Sequence, residues 1–499
     1  MAETGQQGSV GSARGAPRVM IKPFPAPEIT AAHGDSTHSA YVWLTAAAGA
    51  LGGLLFGYDW VVIGGAKPFY ERYFQLNSPS LQGWAMSCAL IGCLIGAVSS
   101  GALSNRFGRK RLLTLAALAF AVSSLGTGLA AHFVVFVAWR MTGGYAIGLA
   151  SGISPMYIAE ISPAHLRGRL VSLNQLAIVF GILLAQVVNW LIARPVPQGA
   201  TAHEILMSWN GQWGWRWMFA VTALPSLLFL IATFLIPESP RWLASKGRNH
   251  QALRVLERLG GRAYAQQVMD DFARASEAQP QRSVWQELSS PGMAKILLLG
   301  VVLAVLQQWC GINVIFNYAQ EIFAAAGYQV SDILFNIVVT GAVNLVFTLV
   351  ALAAIDRYGR RFLLLTGVSG LVVIYTVLGT LYRIHLQGKP MLVLVLAAIA
   401  CYAMSLAPAT WVVIAEIFPN RIRGSAMSIA ITALWTACFL LTYTFPVLNA
   451  ALGAAGTFWI YAAVCLAGLL FLYFRLPETK GRTLEEIEYD LRMSKSKKP

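Results

Sequence analysis

Asp59 and Arg140 stand inside apolar stretches of about 20 residues or more that carry no other charge. A carboxylate within a membrane helix costs about 2.5–3.5 kcal/mol on insertion scales, so each of the two needs a partner or an aqueous cavity. Each can serve the other. Gly144, Gly148 and Gly152 follow Arg140 at four-residue spacing, a stripe that lets another helix approach closely and turns Arg140 into the protein, away from lipid. Such a pair admits two uses. As a fixed ion pair it holds two helices together. As a switch it keeps the carboxylate ionised while the guanidinium is near, and favours protonation once that contact is lost and water is excluded.

A second concentration of chemistry lies further along. Gln307, Gln308, Asn313 and Asn317 place four amides in one short apolar segment. Amides donate and accept at once, as hydroxyls do, so they suit a neutral ligand rich in hydroxyls. On an ideal helix at about 100° per residue, Gln308 and Asn313 point about 140° apart. They share one cavity only if the helix breaks near Gly311. The alternative use is to tie helices together.

Other chemistries find no residues to carry them. The chain has no H-E-x-x-H, G-x-S-x-G or G-x-x-x-x-G-K-[ST] pattern, and its seven histidines form no ligand pair, so catalysis is not expected. Cys88, Cys93, Cys310, Cys401, Cys438 and Cys465 all fall in apolar runs and read as small buried hydrophobes, without metal spacing or a disulfide framework.

The scaffold around these residues is a membrane one. Of 499 residues, 57% are hydrophobic and 12% charged, with a mean hydropathy of +0.59. Soluble domains carry about 25% charged residues. Apolar runs predict an all-α polytopic membrane protein with spans near 41–63, 83–103, 112–131, 134–157, 170–193 and 217–236. A second set is predicted near 295–325, 332–355, 362–382, 391–415, 425–449 and 457–475. Residues 41–236 and 295–476 therefore form two six-helix bundles, joined by a polar linker, 237–294, with helical stretches around 249–259 and 263–276. Residues 1–40 read as a disordered tail without the apolar core of a signal peptide, and 477–499 as a second tail.

Loop charges give the orientation. The loops after spans 2, 4, 8 and 10 hold Arg106, Arg109, Lys110, Arg111, Arg167, Arg169, Arg357, Arg360, Arg361, Arg421 and Arg423. The opposite loops hold Lys67, Arg72, Arg194, Arg383 and Lys389. The positive-inside rule then puts both termini and the linker in the cytoplasm. The same loops explain the net charge of +15, so nucleic acid is not an expected partner.

The two halves repeat. Asn105-Arg-Phe-Gly-Arg-Lys110 returns as Asp356-Arg-Tyr-Gly-Arg-Arg361. Tyr157-Ile-Ala-Glu-Ile-Ser-Pro-Ala-His-Leu-Arg-Gly168 returns as Val413-Ile-Ala-Glu-Ile-Phe-Pro-Asn-Arg-Ile-Arg-Gly424. Pro237-Glu-Ser-Pro-Arg241 has a weaker echo in Pro477-Glu-Thr-Lys-Gly481. A near-constant offset of about 250 residues marks a duplicated six-span unit, the kind that places a substrate site between halves and works by rocking.

With Gly52-Gly-Leu-Leu-Phe-Gly-Tyr-Asp59, Pro237-Glu-Ser-Pro-Arg-Trp-Leu243, Gln307-Gln-Trp-Cys-Gly-Ile-Asn313 and Pro477-Glu-Thr-Lys-Gly-Arg-Thr483, these motifs resemble the sugar porter family of the major facilitator superfamily. They span nearly the whole chain in that family's order. The resemblance implies proton-coupled symport of a hexose, pentose or related polyol, because Asp59 matches the aspartate of proton-coupled members where uniporters carry a neutral residue. It implies no cofactor beyond a proton gradient. It suits a multi-pass protein of a bacterial inner membrane that functions as a monomer. A facilitative uniporter is the alternative, and a transporter-like nutrient sensor a more distant one.

By the same resemblance, Gln175, Gln307, Gln308, Asn313, Asn344 and Trp411 match sugar-binding positions, with Phe56 and Trp435 as aromatic walls. Simple packing explains Trp435 equally well. Asn317, also assigned to the site, stands where the family usually has the first tyrosine of a pair. Ala407, Leu434 and Cys438 likewise replace a glycine and two frequent polar residues, so a named sugar does not carry over. The resemblance further implies a cytoplasmic gate of Arg106, Arg109, Glu160, Arg167, Asp356, Arg360, Glu416 and Arg423, paired across the halves when that side is closed.

Overall fold

A computed structural model describes residues 36–163, 165–197, 199–277, 291–418 and 422–478. Most of both terminal tails, residues 1–35 and 479–499, lies outside the described residues, as does linker segment 278–290. The first half runs through span 1 (Ser36–Tyr73), span 2 (Pro79–Phe107), span 3 (Arg109–Leu129), span 4 (Phe133–Ile161) and span 5 (Arg167–Ile192). Span 6 covers Asn210–Leu235 and opens on a π-helical turn, Asn210–Gly214. Two linker helices follow, Pro240–Ser245 and Asn249–Glu277, the second interrupted at Gly261.

The second half begins with span 7, which is broken into Pro291–Trp309, Ile312–Asn317 and Ala319–Ala325. Span 8 is Val330–Tyr358 and span 9 is Arg360–Arg383. Span 10 is divided at Ser405 into Lys389–Met404 and Leu406–Ile417. Eleven helices among the described residues are long and apolar enough to cross a membrane, the last of them 51 residues, Ser425–Arg475. At 1.5 Å per residue that helix would far exceed a hydrocarbon core of about 30 Å. It turns back at Gly453, whose φ of 67° and ψ of 176° end one helix and begin the next. Span 11 precedes that glycine and span 12 follows it, which makes twelve crossings in two bundles.

Glycine sets the packing. A Cβ on Gly144 would lie 1.9 Å from the Ala89 carbonyl oxygen, and one on Gly148 would lie 2.2 Å from that of Cys93. The stripe on span 4 thus receives span 2, backbone against backbone. Gly57 meets the Ile178 carbonyl in the same way at 1.8 Å, joining spans 1 and 5. Between the halves, span 2 packs on span 11 and span 5 on span 8. Gly83 lies under the Tyr443 carbonyl, 2.3 Å from where its Cβ would sit.

Gly144→Val should therefore sharply lower the melting temperature and the monodisperse yield in detergent, since even a well-tolerated overpacking costs about 1–3 kcal/mol. Gly101→Val, on the same bundle with open space around it, should leave both unchanged. Equal behaviour of the two would reject the backbone contact.

Candidate functional site

Burial of Arg140 by the glycine stripe brings it to span 1. Its Nη1 donates to Asp59 Oδ1 at 2.7 Å, and the two residues are 4% and 5% exposed. The guanidinium also lies over the Phe219 ring of span 6, 5.4 Å from its centre. Within the membrane this pair answers the cost of each charge with the other, and the ring fills the remaining side with a favourable surface.

Span 7 breaks where Gly311 stands, at φ 84° and ψ −5°, a conformation that a side chain disfavours. The break does what the amides require. Asn313 Nδ2 donates to Gln308 Oε1, Gln308 Nε2 donates to Gln307 Oε1 at 3.4 Å, and Gln307 Nε2 donates to the Leu406 carbonyl at 3.3 Å. The chain of amides crosses the break in span 7 and ends on the first turn after the break in span 10. Cys438 of span 11 lies 3.9 Å from Asn313 Nδ2, at one of the positions where polarity is lost.

The other expected sugar residues lie on spans 5, 8 and 10. Gln175 is half-buried on span 5, Asn344 is buried on span 8, and Trp411 is half-buried on the second part of span 10. Phe56 and Trp435 meet across the halves with ring centres 5.7 Å apart. Trp60, which sequence reasoning missed, completes a triad, 5.9 Å from Phe56 and 6.0 Å from Trp435. Its place one residue after Asp59 was the available signal. Asn317 lines the cavity that also holds Asp59 and Arg140, because it ends the short helix that packs against span 1.

At the linker end, two ion pairs among the described residues lie within single halves, and the expected pairing across the halves belongs to the state in which that side is closed. Arg109 grips Glu160 with Nε and Nη2, both at 2.9 Å, and Arg360 Nη2 donates to Glu416 Oε1 at 3.2 Å. The reason is local. Each arginine opens the helix after the loop glycine, beside the end of the span that carries the glutamate in the same bundle. Arg106 is exposed against its neighbour Phe107, and exposed Arg167 stands outside these pairs. The side chains of Asp356 and Arg423 lie outside the described part of the structure.

Two more glutamates complete the motif. Glu238 Oε1 accepts from the backbone N–H groups of Arg109 and Lys110 at 2.8 and 3.1 Å. Glu478 does the same for Arg360 and Arg361, at 3.1 and 3.2 Å. Both carboxylates satisfy the unpaired donors and the positive end of a helix N-terminus. The repeated Pro-Glu after spans 6 and 12 was their sequence signature.

The opposite end joins the halves. Lys67, 2% exposed near the end of span 1, donates to Glu321 on the last part of span 7 and pairs with Glu71 at 3.1 Å. Its ammonium lies 5.2 Å from the centre of the Tyr318 ring. Gly64 admits the Phe316 carbonyl 3.0 Å from where a Cβ would be, and Trp190 meets Phe335 at 6.0 Å between ring centres. Lys67 counts in the sequence only as a loop charge; its partner across the halves is 254 residues away.

Two six-helix bundles, one holding a membrane-buried ion pair and the other an amide cluster on a broken helix, define a secondary transporter. A family model described as "Sugar (and other) transporter" matches residues 45–491. The chain is 38% identical to a D-xylose-proton symporter of Escherichia coli K12, over 90% of this chain and 96% of that one. It is 36% identical to an arabinose-proton symporter of Bacillus subtilis, over 91% and 96%. The inward-open xylose transporter XylE of E. coli superposes with a TM-score of 0.79 at 36% identity, covering 90% of this chain and 99% of that chain. This chain belongs to that sugar transporter family, and it is a multi-pass membrane protein.

Breaking the cross-half bond should open the end that it closes. Lys67 keeps Glu71 when Glu321 is neutralised, so the loss is that of one charge-assisted hydrogen bond, about 1.5–3 kcal/mol, enough to shift a two-state balance about tenfold or more. Spin labels at the ends of spans 1 and 7 should therefore move apart in Glu321→Gln, whereas Glu71→Gln, removed from the same half as Lys67, should change the distance little. An unchanged distance in Glu321→Gln would reject the lock.

Proposed function

We propose that the chain imports a monosaccharide (hexose or pentose) or a related polyol together with protons, by alternating access. The carrying observation is the isolated Asp59–Arg140 pair of the first half, set against the amide cluster of the second. Asp59 is the proton site and Arg140 its counter-charge. Rocking moves the second half, with Asn317, over this pair and so changes the water that reaches Asp59; where water is excluded, the neutral form of a carboxylate is favoured. A proton crossing inward supplies about 2.3 kcal/mol per 100 mV, enough to concentrate a neutral sugar.

Gln307, Gln308 and Asn313 hold the hydroxyls, since amides match groups that donate and accept, and Gln175, Asn344 and Trp411 complete the enclosure. Phe56, Trp60 and Trp435 supply an apolar wall for the C–H faces of a sugar ring. D-Xylose and arabinose, carried by the relatives, are the first candidates. The proton gradient is the only energy source needed, and the monomer is the working unit.

The lysines and arginines of the short loops support a cytoplasmic linker end with both termini inside, in a bacterial inner membrane. The end closed by Lys67 and Glu321 then faces outward, so the described conformation is inward-facing. Residues 41–236 and 295–476 move as two bodies, with 237–294 as a cytoplasmic link. The Arg109–Glu160 and Arg360–Glu416 pairs keep each body stiff at its gate end.

In liposomes, adding hexoses, pentoses or inositols in turn should alkalinise the outside for at least one member. Silence, with labelled sugar still exchanging, would identify a uniporter. Asp59→Asn should abolish accumulation while exchange continues; retained accumulation would remove the proton role. Gln308→Ala should weaken sugar binding by about 1–3 kcal/mol, as for a lost buried hydrogen bond, and unaltered affinity would reject the amide site.

A further inference from the structure

A small cavity lies between the halves against the ion pair. It is lined by Asp59, Trp60, Met86, Cys93, Arg140 and Asn317 among others, and has room for about one water molecule. Three polar atoms of these side chains are buried and have no protein partner: Asp59 Oδ2, Arg140 Nε and Asn317 Oδ1. Asp59 and Asn317 are each 5% exposed, so both are nearly closed off from solvent in this conformation.

The three atoms are complementary to a single water. Its two hydrogens suit the carboxylate oxygen and the amide oxygen, and a lone pair suits the Nε–H of Arg140. Three hydrogen bonds are what a buried water typically makes. Two of the three groups belong to the first half and the third to the second, so the site is whole only while the halves are together here.

The position of Asn317 gives this site its meaning. Asn313 and Asn317 are the second and last residues of one short helix, Ile312–Asn317. Four residues apart, they share a helical face and are separated by about 6 Å along the axis. Asn313 is tied to the amide cluster through Gln308. A ligand that pulls on Asn313 therefore moves Asn317 toward or away from the pair. The carbonyl of Asn317 also packs on Gly64 of span 1, where a Cβ would stand 3.1 Å away, so this helix end is seated closely on the helix that carries Asp59.

We propose that Asn317 is a positioning residue that completes a one-water site on the Asp59–Arg140 pair, and so ties protonation of that pair to the sugar-binding helix. The proposal rests on the reading of Asp59 as the proton carrier. The step is a plain proton transfer. In this conformation, closed to the outside, Asp59 Oδ2 gives its proton to the cavity water as another of that water's protons passes to the inside solvent, which turns the carboxylic acid back into the carboxylate that pairs with Arg140. With Asn317 withdrawn, the water loses one of its three partners, and protonation no longer follows the sugar.

The test compares reconstituted wild type with Asn317→Val and Asn317→Ser, using D-xylose, arabinose, D-glucose and myo-inositol as probes. The readout is protons taken up per sugar transported. Asn317→Val should lower the ratio at least twofold, and Asn317→Ser, which keeps an acceptor, should recover much of it. If Asn317→Val does not fold, Asn317→Leu takes its place. A ratio that stays at the wild-type value overturns the proposal, and with a raised KM for sugar it makes Asn317 a ligand of the sugar instead. Failure of the underlying reading looks different: wild type itself then takes up no protons with any probe, or Asp59→Asn keeps the full ratio.

Discussion

Hydrocarbon offers no partner for a charge, and the architecture of the first half follows from that constraint. One arginine and one aspartate are brought within 2.7 Å of each other, deep in the bundle. Long side chains with bulky neighbours could not bring their helices so near. The glycine stripe beyond Arg140 lets span 2 lie directly on span 4, which leaves Arg140 no way out to lipid. Phe219 covers what Asp59 does not. The pair is thus tolerated because this packing holds its two members together and away from lipid.

Charge is used in opposite ways at the two ends. At the linker end, Arg109, Glu160 and Glu238 bind the starts and ends of neighbouring spans within one bundle, and Arg360, Glu416 and Glu478 repeat the arrangement. The first pair is the tighter, a two-point grip at 2.9 Å against one contact at 3.2 Å. At the far end, Lys67 and Glu321 join one bundle to the other. Stiff bodies with a breakable contact between them are what rocking needs, since a soft body would absorb the motion that the contact releases.

Much of this was written in the chain. The apolar runs located the spans, because about 20 residues must be apolar to cross. The insertion cost of a lone charge singled out Asp59 and Arg140, and the angular mismatch of Gln308 and Asn313 required the break found at Gly311. What escaped were contacts between residues far apart in sequence with no periodic signature. Lys67 looks like a loop charge until span 7 folds over it. Glu160 and Glu416 carry the same motif whether they pair within a half or across halves, and only the position of the neighbouring helix decides. Asn317 looks like a fourth amide of the cluster, but the break that aligns Asn313 with Gln308 also carries the end of the short helix to span 1.

The breaks themselves are unequally shared, and this follows from what each half must do. Spans 1 and 4, which hold the ion pair, run as continuous helices, Ser36–Tyr73 and Phe133–Ile161. Spans 7 and 10, which hold the amide relay, are both interrupted, at Gly311 and Ser405. A proton site works by a large energy difference that depends steeply on one distance, so its supports must not bend. A sugar site must close around a ligand and open again, so its supports must. Placing the rigid element and the jointed element on opposite bodies lets the ligand move the second against the first. The surface between span 1 and the short helix ending at Asn317 is where that movement meets the charge.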